Sequence, residues 1–332
     1  MRILYVAEIV GKPGLHCVKK TLARMRRDRE IDLVIANGDS ITGGFGIGKN
    51  HSIQLRKLGV DVITGGDQMF FKKDMADHID GAHYLLRPAN LPQEMPGRGW
   101  RHYSVRPEEW KDLPVPLTDA VETDTVSAPD TQPGEAGTRG PDDGSPPPSA
   151  ASETTGDAEE PVTPAIQVGV ISLIGQSGYD RIHGSNPFQH LSNVVDRIRR
   201  NASVIIVDFH ATTTAEKYTM FHHADGMVTA VIGSGQRVQT ADAQVMPSGT
   251  AVICDAGRTG SRSSVGGYAP APEIRKYLTR IPAKSEECWD DLQLQGVLLE
   301  VDPGTGYVTG FEALQVPCEP PPSTGKTGKK PA

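Results

Sequence analysis

Short runs of β-branched and aliphatic residues recur along the chain, separated by stretches whose apolar positions fall three and four apart. The runs Arg2–Val6, Asp32–Ala36, Asp61–Thr64, Ile166–Ile174, Val204–Asp208, Met227–Ile232, Ala251–Asp255 and Gly296–Val301 predict strands. After the first run, Leu15, Val18, Leu22 and Met25 share one helical face with Lys and Arg opposite, which predicts a helix packed on a sheet. A second helix is expected from Asn186-Pro187, because Asn caps a helix start and Pro suits its first turn. It would bury Phe188, Leu191, Val194, Val195 and Ile198. Strand–helix alternation of this kind predicts an α/β protein of stacked layers.

The pattern fails between residues 113 and 164, where Pro, Gly, Ser, Thr and acidic residues replace the apolar runs. Such a stretch buries too little apolar surface to offset its ordering entropy, so it is expected to be a disordered acidic insert. Strands lie on both sides of it, which predicts one domain built from 1–112 and 165–316, with a disordered tail over 317–332. Hydrophobic residues make up 37% of the chain, consistent with a sizeable part lying outside the core. The stretch from Asp112 to Ala165 holds twelve acidic residues and one arginine, a net of −11 within a chain of net −7, which leaves +4 for the remainder. A mildly basic body suits an anionic ligand. The acidic insert is a candidate tether for a protein partner.

The opening run lacks the basic start and long apolar core of a signal peptide, and no stretch reaches the length of a membrane span. The four cysteines, Cys17, Cys254, Cys288 and Cys318, are scattered, without C-x-x-C spacing. A cytoplasmic protein with no membrane partner is therefore expected.

Chemistry gathers at the predicted strand ends. The first strand leads into Ala7-Glu8-Ile9-Val10-Gly11, the second into Asn37-Gly38-Asp39-Ser40, and the third into Gly65-Gly66-Asp67-Gln68. Later strands end in Asp208-Phe209-His210-Ala211 and in Gly233-Ser234-Gly235-Gln236-Arg237. Each alone reads as ordinary turn or cap chemistry. Five together point to a site, because α/β sheets collect ligands beyond the carboxyl ends of their strands. Carboxylates with a histidine there suit a hard divalent cation.

These segments, with Arg87-Pro88-Ala89-Asn90, Glu216-Lys217 and Val238-Gln239-Thr240-Ala241-Asp242, resemble the YmdB-type metallophosphoesterases, bacterial relatives of the calcineurin-like fold. The resemblance runs along nearly the whole chain outside the insert and the tail. It implies a layered calcineurin-like fold of two sheets flanked by helices. It also implies hydrolysis of 2',3'-cyclic nucleotides and related phosphodiesters at a two-metal centre.

The departures fall on the chemistry. Glu8 stands where the family has a metal-binding Asp, and Asp39-Ser40 where it has a bridging Glu and an Asn. Asp67 replaces an Asn ligand, and Gln68 the catalytic His. His210 is kept, whereas two further histidine positions are Gly235 and Arg237. Gly235 offers no ligand atom. Exchanging Asp for Glu moves a carboxylate by about 1.5 Å, large against ligand tolerances of about 0.2 Å. Arg237 would repel a dication by roughly 8 kcal/mol at about 4 Å and an effective dielectric near 20. An intact two-metal centre is therefore not expected. The expectations are that Arg237 stands in for an ion by bridging Glu8 and Asp39, and that Asp39, Asp67, His210 and Glu8 keep a residual site for one Mg or Mn ion. Gln68 cannot donate a proton to a leaving alkoxide, so weak or absent catalysis is expected. A non-catalytic regulator or phosphate/nucleotide binder is the alternative, and self-association accords with the fold.

Two glycine-rich segments remain. Gly43-Gly44-Phe45-Gly46-Ile47-Gly48-Lys49-Asn50 has P-loop spacing but ends in Asn50, without a strand running into its first glycine, so a loop over the site is expected. Gly257-Arg258-Thr259-Gly260-Ser261-Arg262-Ser263-Ser264 places Arg258 and Arg262 among small residues, a candidate phosphate cradle. His222 and His223 read as surface residues.

Overall fold

The computed structural model describes residues 1–106, 165–179 and 184–321. The elements run β1 (Arg2–Val6), β2 (Glu8–Ile9), α1 (Gly11–Asp28), β3 (Leu33–Asn37), α2 (Lys49–Lys57), β4 (Val62–Thr64), α3 (Lys73–His78), a 3-10 turn (Ile79–Gly81), β5 (Leu85–Leu86) and β6 (Trp100–Val105). After the insert come β7 (Ile166–Ile174), α4 (Pro187–Ile198), β8 (Val204–His210), α5 (Thr214–Ala224), β9 (Ala230–Ser234), β10 (Gln244–Val245), β11 (Ala251–Ile253), β12 (Arg258–Ser261), α6 (Pro270–Thr279), β13 (Leu292–Val301) and β14 (Val308–Cys318). The expected insert over 113–164, and the tail from residue 322 on, lie outside the described residues. The start of the expected tail is instead the end of β14, where Pro317 and Cys318 pair with Gln293 and Leu292.

Two sheets form. The first runs β2-β12-β13-β1-β3-β4-β5, with β14 added to β13, and the second runs β10-β11-β9-β8-β7-β6. β1, β3, β4 and β5 are mutually parallel, as are β7, β8, β9 and β11. Strand alternation decides which side chain goes where. Ile3 and Tyr5 of β1, Leu33 and Ile35 of β3, and Val297 and Leu299 of β13 meet Val168, Val170, Val204, Ile206, Ala230 and Ile232 between the sheets. The opposite faces are apolar too. Leu4, Val6, Val34 and Ala36 pack under α1 through Val18, Leu22 and Met25. Ile205, Val207 and Phe209 pack under α4 and α5 through Leu191, Val195, Met220 and Phe221. The result is a helix–sheet–sheet–helix stack, which explains why these strands read as continuous apolar runs rather than alternating ones.

α4 starts as expected: Asn186 Oδ1 accepts the amides of Phe188 at 2.9 Å and Gln189 at 3.3 Å, with Pro187 in the first turn. Among the described residues no helix is long and apolar enough to cross a membrane.

Candidate metal centre

The carboxyl ends of β3, β4, β8 and β9 meet across the two sheets, tied by buried polar contacts. Asp208, on β8 and 1% exposed, accepts Asn37 Nδ2 at 3.0 Å, the Thr64 hydroxyl, and Ser234 Oγ at 2.6 Å. Asp39 follows β3 in a tight turn in which its own amide donates to Asn37 Oδ1 at 3.1 Å. Its carboxylate is fully buried. Oδ1 accepts the Gly66 amide at 2.6 Å and Oδ2 the Gln68 amide at 3.1 Å. The loop after β4 is thus wrapped around Asp39, and it carries Asp67, whose side chain keeps 29% exposure.

His210 ends β8 with its ring against Gly66, where a Cβ would come within 2.5 Å of the imidazole. Nδ1 lies 3.1 Å from Ser234 Oγ, and that hydroxyl donates its single proton to Asp208. Ser234 must therefore accept from His210, which puts a proton on Nδ1 and turns Nε2 toward the carboxylates. Nε2 is 3.0 Å from Asp67 Oδ1 and 3.9 Å from Asp39 Oδ2. Burial would depress the imidazole, but the hydrogen bond to Asp67 and the charges of Asp39, Glu8 and Asp67 outweigh it and hold His210 at about 9. Burial drives Asp39 the other way from an ordinary carboxyl. Despite His210 and the Gly66 amide, it is raised to about 7, helped by the charges of Asp67 and Glu8. Asp67 is lowered, because its bond to His210 and the nearby charges outweigh its burial.

Beside this cluster lies Glu8, 1% exposed, on β2. Its Oε1 accepts Arg237 Nε at 2.9 Å and the Ser40 hydroxyl, and Arg237 Nη2 in turn bonds Ser40 Oγ. Glu8 Oε2 is enclosed without a partner. Arg237 sits at φ 58°, left-handed for a residue with a side chain, just after Gly235 at φ 102°. That turn is pinned from below. Lys217 Nζ and Asp255 Oδ2 are 3.0 Å apart, both side chains 1% exposed, and Asp255 also accepts the amides of Gln236 at 2.8 Å and Gly257 at 2.9 Å.

Asp39, Asp67 and His210 offer one ligand atom each within 4.8 Å of one another. Two carboxylate oxygens and an imidazole nitrogen whose far side is held by Ser234 and Asp208 fit a hard divalent cation. Of the donors for a second ion, Glu8 Oε1 is taken by Arg237 and Ser40, which leaves Oε2 alone unpartnered, and Gly235, where a Cβ would lie 3.2 Å from His210 Nε2, has no side chain to give.

A profile of the YmdB-like protein family matches residues 4–117 and 148–314. The chain belongs to the YmdB-like family. It is 25% identical over 316 residues to the 2',3'-cyclic-nucleotide 2'-phosphodiesterase of Bacillus subtilis, covering 95% of this chain and 97% of the relative. The structure of a phosphatase from Mycoplasma pneumoniae superposes with a TM-score of 0.72 at 25% identity, over 96% of this chain and 93% of that one. A hypothetical protein from Thermus thermophilus superposes with a TM-score of 0.71 at 23% identity, over 96% and 99%, and shares the fold. The layered metallophosphoesterase architecture expected from the sequence is the one found.

Within the YmdB-like frame, the structure brings Asp39, Asp67 and His210 together and sets Glu8 apart. Arg237 pairs with Glu8 as expected but does not reach across to Asp39. It holds Glu8 and Ser40, because Asp39 is already satisfied by backbone amides. Gln68 follows Asp67 in the same loop, with Oε1 enclosed and unpartnered. The Arg258 guanidinium, a phosphate-cradle candidate, is buried and turned onto the main chain, donating to the carbonyls of Ser261 and Arg262 at 2.8 Å, Arg237 at 2.6 Å and Ser264 at 3.4 Å. Arg262 is exposed and pairs with Asp291 at 2.8 Å. The glycine loop does pack beside the site, with Gly46 N donating to Asp39 O at 2.7 Å and Gly44 against the Tyr268 hydroxyl. His222 and His223 end α5 on the surface. Tyr179, which carries no motif, was not readable from the sequence. Its ring stacks over His210 at 6.2 Å, and burial with the charges of Asp67, Asp39 and Glu8 raises its hydroxyl far above the ordinary value.

Proposed function

We propose that this chain binds phosphodiesters at a one-cation site and hydrolyses 2',3'-cyclic nucleotides far more slowly than a complete two-ion enzyme of its fold. The observation that carries this reading is the buried Arg237–Glu8 pair at 2.9 Å, closed by Ser40. It places a fixed cation on the carboxylate that a second ion would need. Charge is close to balanced without that ion: Arg237 and protonated His210 face Glu8, Asp67 and a partly ionised Asp39. The substrate class rests on the name of the B. subtilis relative.

Asp39, Asp67 and His210 would hold the ion, and oxygen-rich donors favour Mg or Mn. Once bound, such an ion polarises a phosphoryl oxygen as a Lewis acid. Holding it requires ionised Asp39 and an unprotonated His210 Nε2, while the Nδ1 proton stays on the Ser234 contact. Arg237 supplies a permanent positive charge beside the cluster that attracts and orients a phosphate. Gln68 lines the same loop but holds no proton to give a leaving alkoxide, a deficit of about 10²–10⁴ in rate.

The test is turnover of 2',3'-cyclic AMP with added Mn²⁺ in the native chain, Asp39→Ala and His210→Ala. Slow turnover lost in both variants is the expected result, and turnover as fast as a two-ion enzyme would reject the proposal. A second reading, a non-catalytic phosphate or nucleotide binder, draws on the acceptors facing both nitrogens of His210, which suit an imidazolium rather than a ligand. Nucleotide binding without any turnover in Mn²⁺ would favour it.

A further inference from the structure

Two of the four cysteines meet where the first helix packs against the last described strand. Cys17 lies in α1 and Cys318 ends β14, and both belong to the apolar cluster under α1. Their neighbours fix the approach: His16 Nε2 lies 2.9 Å from the Glu319 carbonyl oxygen, and Cys318 is paired with Leu292 of β13. The two thiols hydrogen-bond each other. Cys318 Sγ donates to the Glu319 carbonyl at 3.5 Å, so the proton lying between the sulfurs is that of Cys17. This bond and burial push the Cys17 thiol far above its ordinary value. The same bond, helped by the charge of Lys20, holds Cys318 below it despite burial and the charge of Glu319. Exposure also separates the pair. Cys17 is 0% exposed, whereas Cys318 is 8% exposed on the wall of a cleft of about 720 Å³ that Lys20, Thr21 and Val316 also line. The other two cysteines lie elsewhere: Cys254 belongs to the core under α4 and α5, and Cys288 donates to the Ser263 carbonyl at 3.5 Å.

We propose that Cys17 and Cys318 are a redox modification site, forming a reversible disulfide with an oxidant of the peroxide class and released by a dithiol reductant. The thiolate is the attacking species, and Cys318 is the thiol that is both reachable and favoured as an anion. Its sulfur attacks one peroxide oxygen: the S–O bond forms, the O–O bond breaks, and the departing hydroxide takes up the thiol proton as water. Cys17, enclosed beside it, resolves the sulfenic acid. Its sulfur attacks that of Cys318, the S–S bond forms, the S–O bond breaks, and the leaving hydroxide takes the Cys17 proton and departs as a second water. Two thiols thus give up two electrons, and one peroxide takes them. Closing the bridge brings the sulfurs to about 2.05 Å. β14 pairs in its sheet with β13 alone, so the end of this strand has one partner to move against. The bridge joins α1 to the end of β14, and a loop of that length restricts the unfolded chain strongly. It shares no residue with the metal centre and does not depend on the function proposed for it.

The test treats the full reduced chain with hydrogen peroxide, blocks the remaining thiols with N-ethylmaleimide in denaturant, and maps the peptides by mass spectrometry. The expected product is a monomer lighter by two hydrogens, with Cys17 joined to Cys318 and with Cys254 and Cys288 alkylated. Dithiothreitol should restore all four thiols. The oxidised chain should melt about 5 °C or more above the reduced one. Cys17→Ala should leave a Cys318 sulfenic acid that dimedone traps, and should lose the rise in melting temperature. Cys318→Ala should leave Cys17 reduced, and Cys288→Ala should form the bridge as the native chain does. Circular dichroism checks that the variants fold, and the peptide map of the native chain decides the matter without them. Four alkylated thiols after peroxide, a bridge between chains, or a bridge through Cys254 or Cys288 would overturn the proposal.

Discussion

Replacing Arg237 by Met removes the guanidinium while keeping hydrocarbon bulk, and φ 58° is as strained for Met as for Arg. The change therefore isolates the charge. Glu8 would be left 1% exposed, with Ser40 as its remaining donor and Oε2 still unpartnered. Breaking a buried ion pair from one side costs about 3–5 kcal/mol when both partners are enclosed. Arg237 retains 17% exposure, so a smaller loss of about 2–3 kcal/mol is expected near pH 7.5. Urea denaturation in EDTA measures it, with the denaturant slope unchanged. Adding Glu8→Gln to Arg237→Met removes the stranded charge and should recover about 1.5 kcal/mol or more, a coupling that a double-mutant cycle reads directly. Mn²⁺ should stabilise Arg237→Met more than the native chain, because a carboxylate has been freed. A single variant within about 0.5 kcal/mol of the native chain, or a double variant no more stable than the single one, would refute the reasoning.

Three further outcomes follow from the same contacts. In EDTA, stability should fall as pH rises from about 6 to 9. Asp39 is raised from 3.8 to about 7 and His210 from 6.5 to about 9, so the folded chain binds more protons than the unfolded one across this window. The His210 contribution is complete below its unfolded value and gone above its folded one, and a flat or rising calorimetric profile would contradict it. Lys217→Met should cost about 3 kcal/mol in urea denaturation by stranding Asp255, which is 1% exposed, and a neutral effect would deny the pair its structural part. Gln68→His should speed cyclic-nucleotide turnover in Mn²⁺ about tenfold or more by returning a proton donor, and an unchanged rate would show that the missing acid is not limiting.

The strands legible in the sequence are those buried on both faces, such as β1, β3, β7 and β8, whose β-branched runs admit few other readings. β12 was hidden because Arg-Thr-Gly-Ser looks like a loop. It is buried between β2 and β13, with Arg258 satisfied by the carbonyls around it. β6 and β14 are edge strands with mixed polar faces, and β2 is two residues held by pairing with β12, so none carries a distinctive local pattern. At the site, the strand ends together with the family resemblance pointed to Glu8, Asp39, Asp67 and His210, of which the fold brings Asp39, Asp67 and His210 together. The pairing of Arg237 with Glu8 was legible, but its second partner was not, since nothing in the residue order shows that two backbone amides already occupy Asp39. Ser234 and Tyr179 were missed for a related reason: each acts through contact with His210 made only in the folded chain.

The central claim is that a guanidinium holds the place of one ion, leaving room for a single cation. Metal content after reconstitution with Mn²⁺ and gel filtration, combined with anomalous scattering from crystals of the loaded protein, tests it most directly. The account predicts at most one ion per chain, seated between Asp39, Asp67 and His210 and lost in His210→Ala. Two ions, one of them against Glu8 with Arg237 swung aside, would contradict it.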